Sequence, residues 1–128
     1  MKIFDAKQMN CLNLAFLGDS IFTQFIREFL VKNFDYKLNQ LNKMSNKIVC
    51  ARNQSILLEN IVDILTEDEK DIAKRARNIH PGNIAKNSTP EQYSKATQYE
   101  AILGFLYLTE QFDRLNEIMN KSIEEYQD

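Results

Sequence analysis

Apolar side chains recur every three or four residues along most of this chain, and this spacing restricts the possible folds more than any other feature. Between about residues 12 and 33 the apolar positions include Leu14, Leu17, Ile21, Phe25 and Phe29. This is the spacing of one buried face of an α-helix. The same spacing returns over residues 38 to about 64, where the polar stretch at 52–55 predicts a bend or a break into two helices.

Two capping patterns predict where later helices begin. Thr66 is followed three residues later by Glu69, and Thr89 is followed three residues later by Gln92. In a capping box such a pair satisfies the free backbone N–H groups of the first helical turn. Pro90 also suits the first position of a helix. The predicted helices cover about residues 67–77, 90–108 and 112–126, with a loop over residues 78–88.

The composition agrees with an all-α fold. The 128 residues are 44% hydrophobic and 27% charged, and 3 Gly and 2 Pro leave little material for the tight turns of an all-β protein. The length is that of one domain. We therefore expect a compact helical bundle formed by a single domain over residues 1–128.

The two cysteines and the hydropathy pattern predict the compartment. Cys11 and Cys50 lie far apart in the sequence, which excludes a disulfide scaffold and a zinc site of the C-x-x-C type. We expect both to be small buried apolar residues in a reducing environment. No apolar run is long enough for a signal peptide or a membrane span. These observations predict a cytoplasmic protein without a membrane partner.

Basic residues are concentrated in one part of a weakly acidic chain. The net charge is −2, yet residues 72–90 hold four basic side chains and no acidic one. Such a local basic surface is typical of a phosphate-binding face, although a solvated charged face would have the same composition. The basic residues of this stretch are Lys74, Arg75, Arg77 and Lys86, with His80 among them.

Asp19 and Glu100 are single acidic residues within the two most apolar predicted helices. An unpaired buried ion is costly, so each needs a basic residue, a proton shared with the other, or a metal ion. Gly18 and Gly104 lie in the same helices, and a helical glycine is best tolerated where two backbones approach closely. A close crossing of these helices would bring the two acids together as a site for a hard cation such as Mg²⁺.

Two segments of the chain resemble one nuclease family. The sequence LAFLGDSI at residues 14–21 resembles the ribonuclease III signature Glu-x-x-Glu-Phe-Leu-Gly-Asp, and YEAILGFLYL at residues 99–108 resembles the family's Phe-Glu-Ala-Leu-Ile-Gly-Ala-Ile-Tyr-Leu helix. Both motifs occur in the family's order, and the resemblance covers nearly the whole chain. It is strongest to the short branch called Mini-ribonuclease III, whose members have the nuclease domain without a separate double-stranded-RNA-binding domain.

The resemblance implies a fold, an activity and a site. The fold is the helical bundle of the ribonuclease III endonuclease domain. The activity is that of a homodimeric, Mg²⁺-dependent endonuclease of double-stranded RNA, which trims the ends of the 23S ribosomal RNA precursor. Asp19 and Glu100 would hold the ion and act in catalysis, and Thr97 would position a water. The residues that would bind the RNA backbone are Lys74, Arg75, Arg77, Asn78, Lys86 and Asn87, with Lys43, Lys47 and Arg52 as an extension.

The chain also departs from the family's pattern. Full-length ribonuclease III has four metal-site acids, and the matching positions here are Ala15, Asp19, Thr97 and Glu100, with Leu12 at the position of the first signature Glu. An ion held by fewer protein ligands is expected to bind weakly until RNA phosphates complete its shell. Two alternatives remain: a catalytically inactive RNA-binding module in ribosome assembly, and a helical interaction protein whose basic loop binds an acidic partner.

Overall fold

The computed structural model describes residues 1–79 and 88–126, and these residues form seven α-helices, two 3₁₀ turns and no strand. This confirms the expected all-α fold. Lys86, Asn87 and His80, which the sequence places in the basic stretch, lie outside the described residues. The α-helices are α1 (Ile3–Lys7), α2 (Cys11–Asn33), α3 (Leu38–Val49), α4 (Ala51–Ile61), α5 (Glu67–Arg77), α6 (Pro90–Leu108) and α7 (Phe112–Ser122); the 3₁₀ turns are Val62–Ile64 and Glu124–Tyr126.

The helices begin where local side chains satisfy their first N–H groups. Both predicted capping boxes are present: Thr66 accepts from the Glu69 backbone N–H at the start of α5, and Thr89 accepts from that of Gln92 at the start of α6. At the start of α2, the Asn10 side chain accepts a hydrogen bond from the Leu12 N–H at 2.7 Å. Helix α1 was not predicted from the sequence, because five residues are too few to show a helical repeat.

The predicted division into two helices is present, but it lies at Cys50, whose backbone is extended, two residues before the polar stretch at 52–55, which belongs to α4. Side chains from α4 satisfy the last carbonyl groups of α3. Asn53 Nδ2 donates to the Ile48 carbonyl at 2.7 Å, and Gln54 Nε2 donates to the Val49 carbonyl at 2.9 Å. Asn53 and Gln54, two of the polar residues that suggested a break, therefore stabilise the end of α3.

Helices α2 and α6 form the centre of the molecule and cross with their backbones in contact. A Cβ atom on Gly18 would lie 1.8 Å from the Glu100 carbonyl oxygen, and one on Gly104 would lie 2.0 Å from the Leu14 carbonyl oxygen. Moving from Leu14 to Gly18 along α2 corresponds to moving back from Gly104 to Glu100 along α6, so the two helices run in opposite directions here. The crossing therefore needs glycine at both positions.

The other helices pack around this central pair, and buried polar contacts hold them to it and to each other. Glu69 of α5 is only 1% exposed, and both of its carboxylate oxygens accept hydrogen bonds from Arg114 of α7, at 2.8 and 2.9 Å. Tyr99 of α6 is buried against Phe22 of α2 in an edge-to-face pair, and its hydroxyl lies 2.6 Å from that of Ser122. A buried ion pair with these hydrogen bonds fixes how the helices pack, since removing one partner would leave an uncompensated charge.

Candidate active site

Asp19 and Glu100 come together in a cleft of about 360 Å³ between α2, α4 and α6. Their carboxyl groups lie within hydrogen-bonding reach of each other. Glu100 is partly buried, whereas Asp19 is exposed at the surface of the cleft, so only one of the two acids lies in an apolar environment. Thr97, Gln54 and Phe16 also line this cleft.

The helix crossing explains why these two carboxyl groups meet. Gly18 lies directly against the Glu100 backbone, and Asp19 is the next residue on α2, so its side chain projects beside that of Glu100. Any larger residue at position 18 would separate the helices at the point where the acids face each other. The glycine and the acid of each motif, Gly18 with Asp19 and Gly104 with Glu100, thus both belong to the crossing of α2 and α6.

The proton that Glu100 retains compensates its burial. Burial and, to a smaller extent, the hydrogen bond to Asp19 raise the pKa of Glu100 to about 9, against the smaller opposite effect of a hydrogen bond from Gln54. Within residues 1–79 and 88–126, no lysine or arginine forms an ion pair with either carboxyl group. Of the three forms of compensation predicted from the sequence, the basic partner is therefore not the one found in the described part of the chain.

Thr97 lies in the cleft one turn of α6 before Glu100. It is 6% exposed, and its hydroxyl donates to the Tyr93 carbonyl at 2.9 Å. The Thr97 oxygen therefore retains its acceptor positions for a water. In the described residues no three His, Cys, Asp or Glu side chains come together, so Asp19 and Glu100 are the acidic ligand pair that this cleft offers.

Gln54 is the cleft residue that sequence analysis missed. Its side chain is 1% exposed, and its Oε1 is the one buried side-chain oxygen or nitrogen without a hydrogen-bond partner in the described chain. The sequence places it in the polar stretch between two helices, and only the packing of α4 against α6 brings it beside Glu100. Oxygen ligands and an unpaired acceptor fit a hydrated hard cation such as Mg²⁺.

One known protein family matches this chain over most of its length. A family model described as the ribonuclease III domain matches residues 12–111. Mini-ribonuclease 3 of Staphylococcus aureus is 39% identical over 119 residues, covering 91% of this chain and 89% of that protein. The chain belongs to the ribonuclease III family, in its Mini-ribonuclease 3 branch. Mini-ribonuclease 3 of Clostridium tetani is also 39% identical, over 125 residues that cover 97% of this chain and 83% of that protein.

The chain also shares its fold with a solved structure. A crystal structure of a protein from Fusobacterium nucleatum has a TM-score of 0.86 and 35% sequence identity to this chain, covering 98% of this chain and 99% of the other. Membership of the ribonuclease III family supports a nuclease activity and hence a role as a hydrolase. No helix in the described part of the chain is both long and apolar enough to cross a membrane.

The structure gives the predicted RNA-binding residues different roles. Lys74, Arg77 and Asn78 are exposed at the end of α5. Arg75, in contrast, is half-buried and donates hydrogen bonds to the carbonyl groups of Lys7 and Met9, the latter at 2.7 Å. It therefore holds the segment between α1 and α2 against α5, an intramolecular role that was not predicted.

Proposed function

We propose that this chain is a Mg²⁺-dependent endoribonuclease of double-stranded RNA, with Asp19 and Glu100 as the residues that hold the ion. The observation that carries the proposal is the meeting of these two carboxyl groups in a cleft, where they lie within hydrogen-bonding reach of each other and have no basic partner in the described chain. A divalent ion can displace the proton that burial keeps on Glu100, since metal binding to acidic ligands releases protons.

The residues of the cleft have separate roles in this proposal. Bound Mg²⁺ would supply a polarised water and neutralise charge on the phosphate. Asp19, at the exposed side of the cleft, is open to RNA, whereas Glu100 holds the buried side. The Thr97 hydroxyl, oriented by its bond to the Tyr93 carbonyl, accepts a hydrogen bond from the attacking water.

Exposed basic residues on three helices support an RNA substrate. Lys74 and Arg77 lie at the end of α5, and Lys43, Lys47 and Arg52 are exposed on α3 and α4. Double-stranded RNA is recognised mainly through its shape, phosphates and 2′-hydroxyl groups. The resemblance to Mini-ribonuclease III extends the proposal to ends of the 23S ribosomal RNA precursor as substrate, and to a cytoplasmic enzyme with one nuclease domain.

A homodimer completes the proposal. One cleft reaches one strand, so cleavage of both strands of a duplex is simplest with two clefts related by a two-fold axis. Phe16 supports this arrangement because its side chain is 84% exposed on α2 while it lines the cleft. An aromatic ring of this exposure beside the acidic pair is a natural contact for a second copy of the chain.

The proposal is tested by incubating a structured precursor RNA with the protein in Mg²⁺. We expect Asp19→Asn and Glu100→Gln each to lower the cleavage rate by at least about 100-fold, since each removes several kcal/mol of transition-state stabilisation. RNA binding and the helical fold should be retained. Asp63→Asn, which removes an exposed acid outside the cleft, is the matched control and should cleave at the normal rate.

Other results would contradict the catalytic assignment or favour one of the alternative functions. Equal cleavage by the wild type and Asp19→Asn would show that the catalytic residues are wrongly assigned. RNA binding without any Mg²⁺-dependent cleavage by the wild type would favour the inactive RNA-binding module instead. RNA binding should weaken steeply as salt is added, which an interaction protein without an RNA role would not show.

A further inference from the structure

Gln54 makes a set of contacts that neither the signature motifs nor the acidic pair accounts for. Its Nε2 donates to the Val49 carbonyl at 2.9 Å, which fixes the plane of the side-chain amide. The same amide lies within hydrogen-bonding reach of the Glu100 carboxyl group. Its Oε1 is buried and unpaired. Gln54 thus connects the end of α3 to the buried acid of the cleft.

An unpaired buried acceptor is a costly feature for a side chain that has no role. Leaving such a group without a hydrogen bond costs about 1–3 kcal/mol, and a leucine or methionine of similar size would avoid that cost. Gln54 lines the cleft and its Oε1 has no hydrogen-bond partner in the described chain, so a water molecule held in the cleft is the small donor that fits this atom. Mg²⁺ usually keeps several waters of its hydration shell in protein sites, and each such water is a strong donor.

We infer that Gln54 is a positioning residue for the proposed metal site: its Nε2 orients the Glu100 carboxylate, and its Oε1 accepts a hydrogen bond from a water of the ion's hydration shell. The inference rests on the proposed function, because it assigns a role toward the ion that Asp19 and Glu100 would hold. Gln54 does not touch RNA in this arrangement; it acts through Glu100 and the water. In other proteins, mutation of a residue that orients a metal ligand in this way lowers metal affinity by about 10–100-fold.

Asn53 provides a matched control because it performs the same capping task without facing the cleft. Its Nδ2 donates to the Ile48 carbonyl at 2.7 Å, and its Oδ1 accepts from the Tyr126 hydroxyl at 2.8 Å. Both neighbouring amides therefore satisfy the end of α3, but only Gln54 lines the cleft with Glu100. A purely structural role would give the two residues the same phenotype.

The experiment measures Mn²⁺ binding to the full chain without RNA, by the electron paramagnetic resonance signal of the free ion, together with thermal melts in a chelator. We expect Gln54→Met to weaken Mn²⁺ binding by about tenfold or more while its melt stays cooperative. Gln54→Asn, which keeps an amide but shortens the side chain by one methylene, should also weaken Mn²⁺ binding, because the amide then no longer reaches Glu100 and the water. Asn53→Leu should melt at a lower temperature and bind Mn²⁺ within about twofold of the wild type, since it leaves the metal ligands and their hydrogen bonds in place.

The outcomes separate this inference from the proposed function. If the wild type binds Mn²⁺ and Asp19→Asn does not, but both Gln54 variants bind as the wild type does, then the metal site stands and the role of Gln54 is wrong. If the wild type and Asp19→Asn bind the ion equally, the proposed metal site itself is wrong. Should Gln54→Met fail to fold, the affinity of Gln54→Asn decides: a variant that melts cooperatively and binds Mn²⁺ as the wild type does would show that the role of Gln54 is wrong.

Discussion

At the scale of single residues, the charge state of Glu100 links folding, metal binding and the proposed chemistry. Burial keeps this carboxyl protonated and raises its pKa to about 9. The neutral acid is compatible with a partly apolar site, but it is a poor ligand for a divalent ion. Proton and ion therefore compete for the same pair of carboxyl groups, and each helps to stabilise the folded cleft in the absence of the other.

This competition predicts a pH dependence of stability in the metal-free protein. The folded-state pKa of Glu100 lies above its ordinary value of 4.5, so the unfolded chain releases this proton at lower pH than the folded chain does. The free energy of unfolding from this group is therefore unaffected below about pH 4.5 and falls as the pH rises from there towards about 9. Denaturant unfolding in a chelator should show the wild type losing stability relative to Glu100→Gln across this range.

The same proton predicts how metal affinity changes with pH. Between pH 6 and 8, Mn²⁺ affinity of the wild type should rise by up to about tenfold per pH unit, since one proton is displaced for each ion bound. Parallel stability profiles for the wild type and Glu100→Gln, together with a pH-independent affinity, would contradict the raised pKa of Glu100.

The sequence predicts the acidic residues of the site but not their polar surroundings. Asp19, Glu100 and Thr97 lie in two helices with clear apolar repeats and recognisable motifs, so their meeting followed from one helix crossing. Gln54 and Arg75 have no such signal. Their roles depend on which carbonyl group lies within reach after α3, α4 and the segment before α2 have packed, and only the three-dimensional structure determines that.

At the scale of the helices, glycine is required where α2 meets α6. Replacing a helical glycine by alanine ordinarily stabilises a helix by about 1 kcal/mol. At Gly18 and Gly104 the added Cβ would instead lie within 1.8 and 2.0 Å of a backbone oxygen. Backbone cannot move aside as a flexible side chain can, so the steric cost exceeds the gain in helix propensity.

We expect Gly18→Ala and Gly104→Ala each to lower the free energy of unfolding by about 3 kcal/mol or more, measured by urea denaturation. The two variants should differ in metal binding. Gly18→Ala displaces the Glu100 backbone itself and should also weaken Mn²⁺ binding, whereas Gly104→Ala displaces Leu14 and should affect the ion less. An unchanged or raised stability in either variant would show that the helices do not cross as closely as described.

Element boundaries were predicted well where a local signal exists. The capping boxes at Thr66 and Thr89 fixed the starts of α5 and α6, and the polar stretch after α3 indicated the break that the structure places at Cys50. Helix α1 has neither a repeat nor a side-chain cap. It is held instead by tertiary contacts, including the Arg75 bonds to the carbonyl groups that follow it, and such contacts leave no periodic pattern in the sequence.

At the scale of the whole molecule, the proposed enzyme needs a larger surface than one copy provides. Double-stranded RNA presents two strands with opposite directions, and a two-fold axis between two copies matches that symmetry. In the proposed dimer, the exposed Phe16 ring would place the contact between copies next to the cleft. Dimerisation would then bring both acidic pairs to one duplex.

This arrangement predicts that Phe16→Ser converts the protein from dimer to monomer. A symmetric interface contains the substituted residue twice, and each buried phenylalanine ring contributes about 1.5–3 kcal/mol, so the dimer dissociation constant should rise at least about 100-fold. Analytical ultracentrifugation over a range of protein concentrations measures this directly. Phe4→Ser is the matched control, because Phe4 is also highly exposed, at 72%, but lies on α1 away from the cleft lining. If the wild type sediments as a monomer, or if both substitutions have the same effect, Phe16 does not form the interface. Two clefts would then come together only on the RNA.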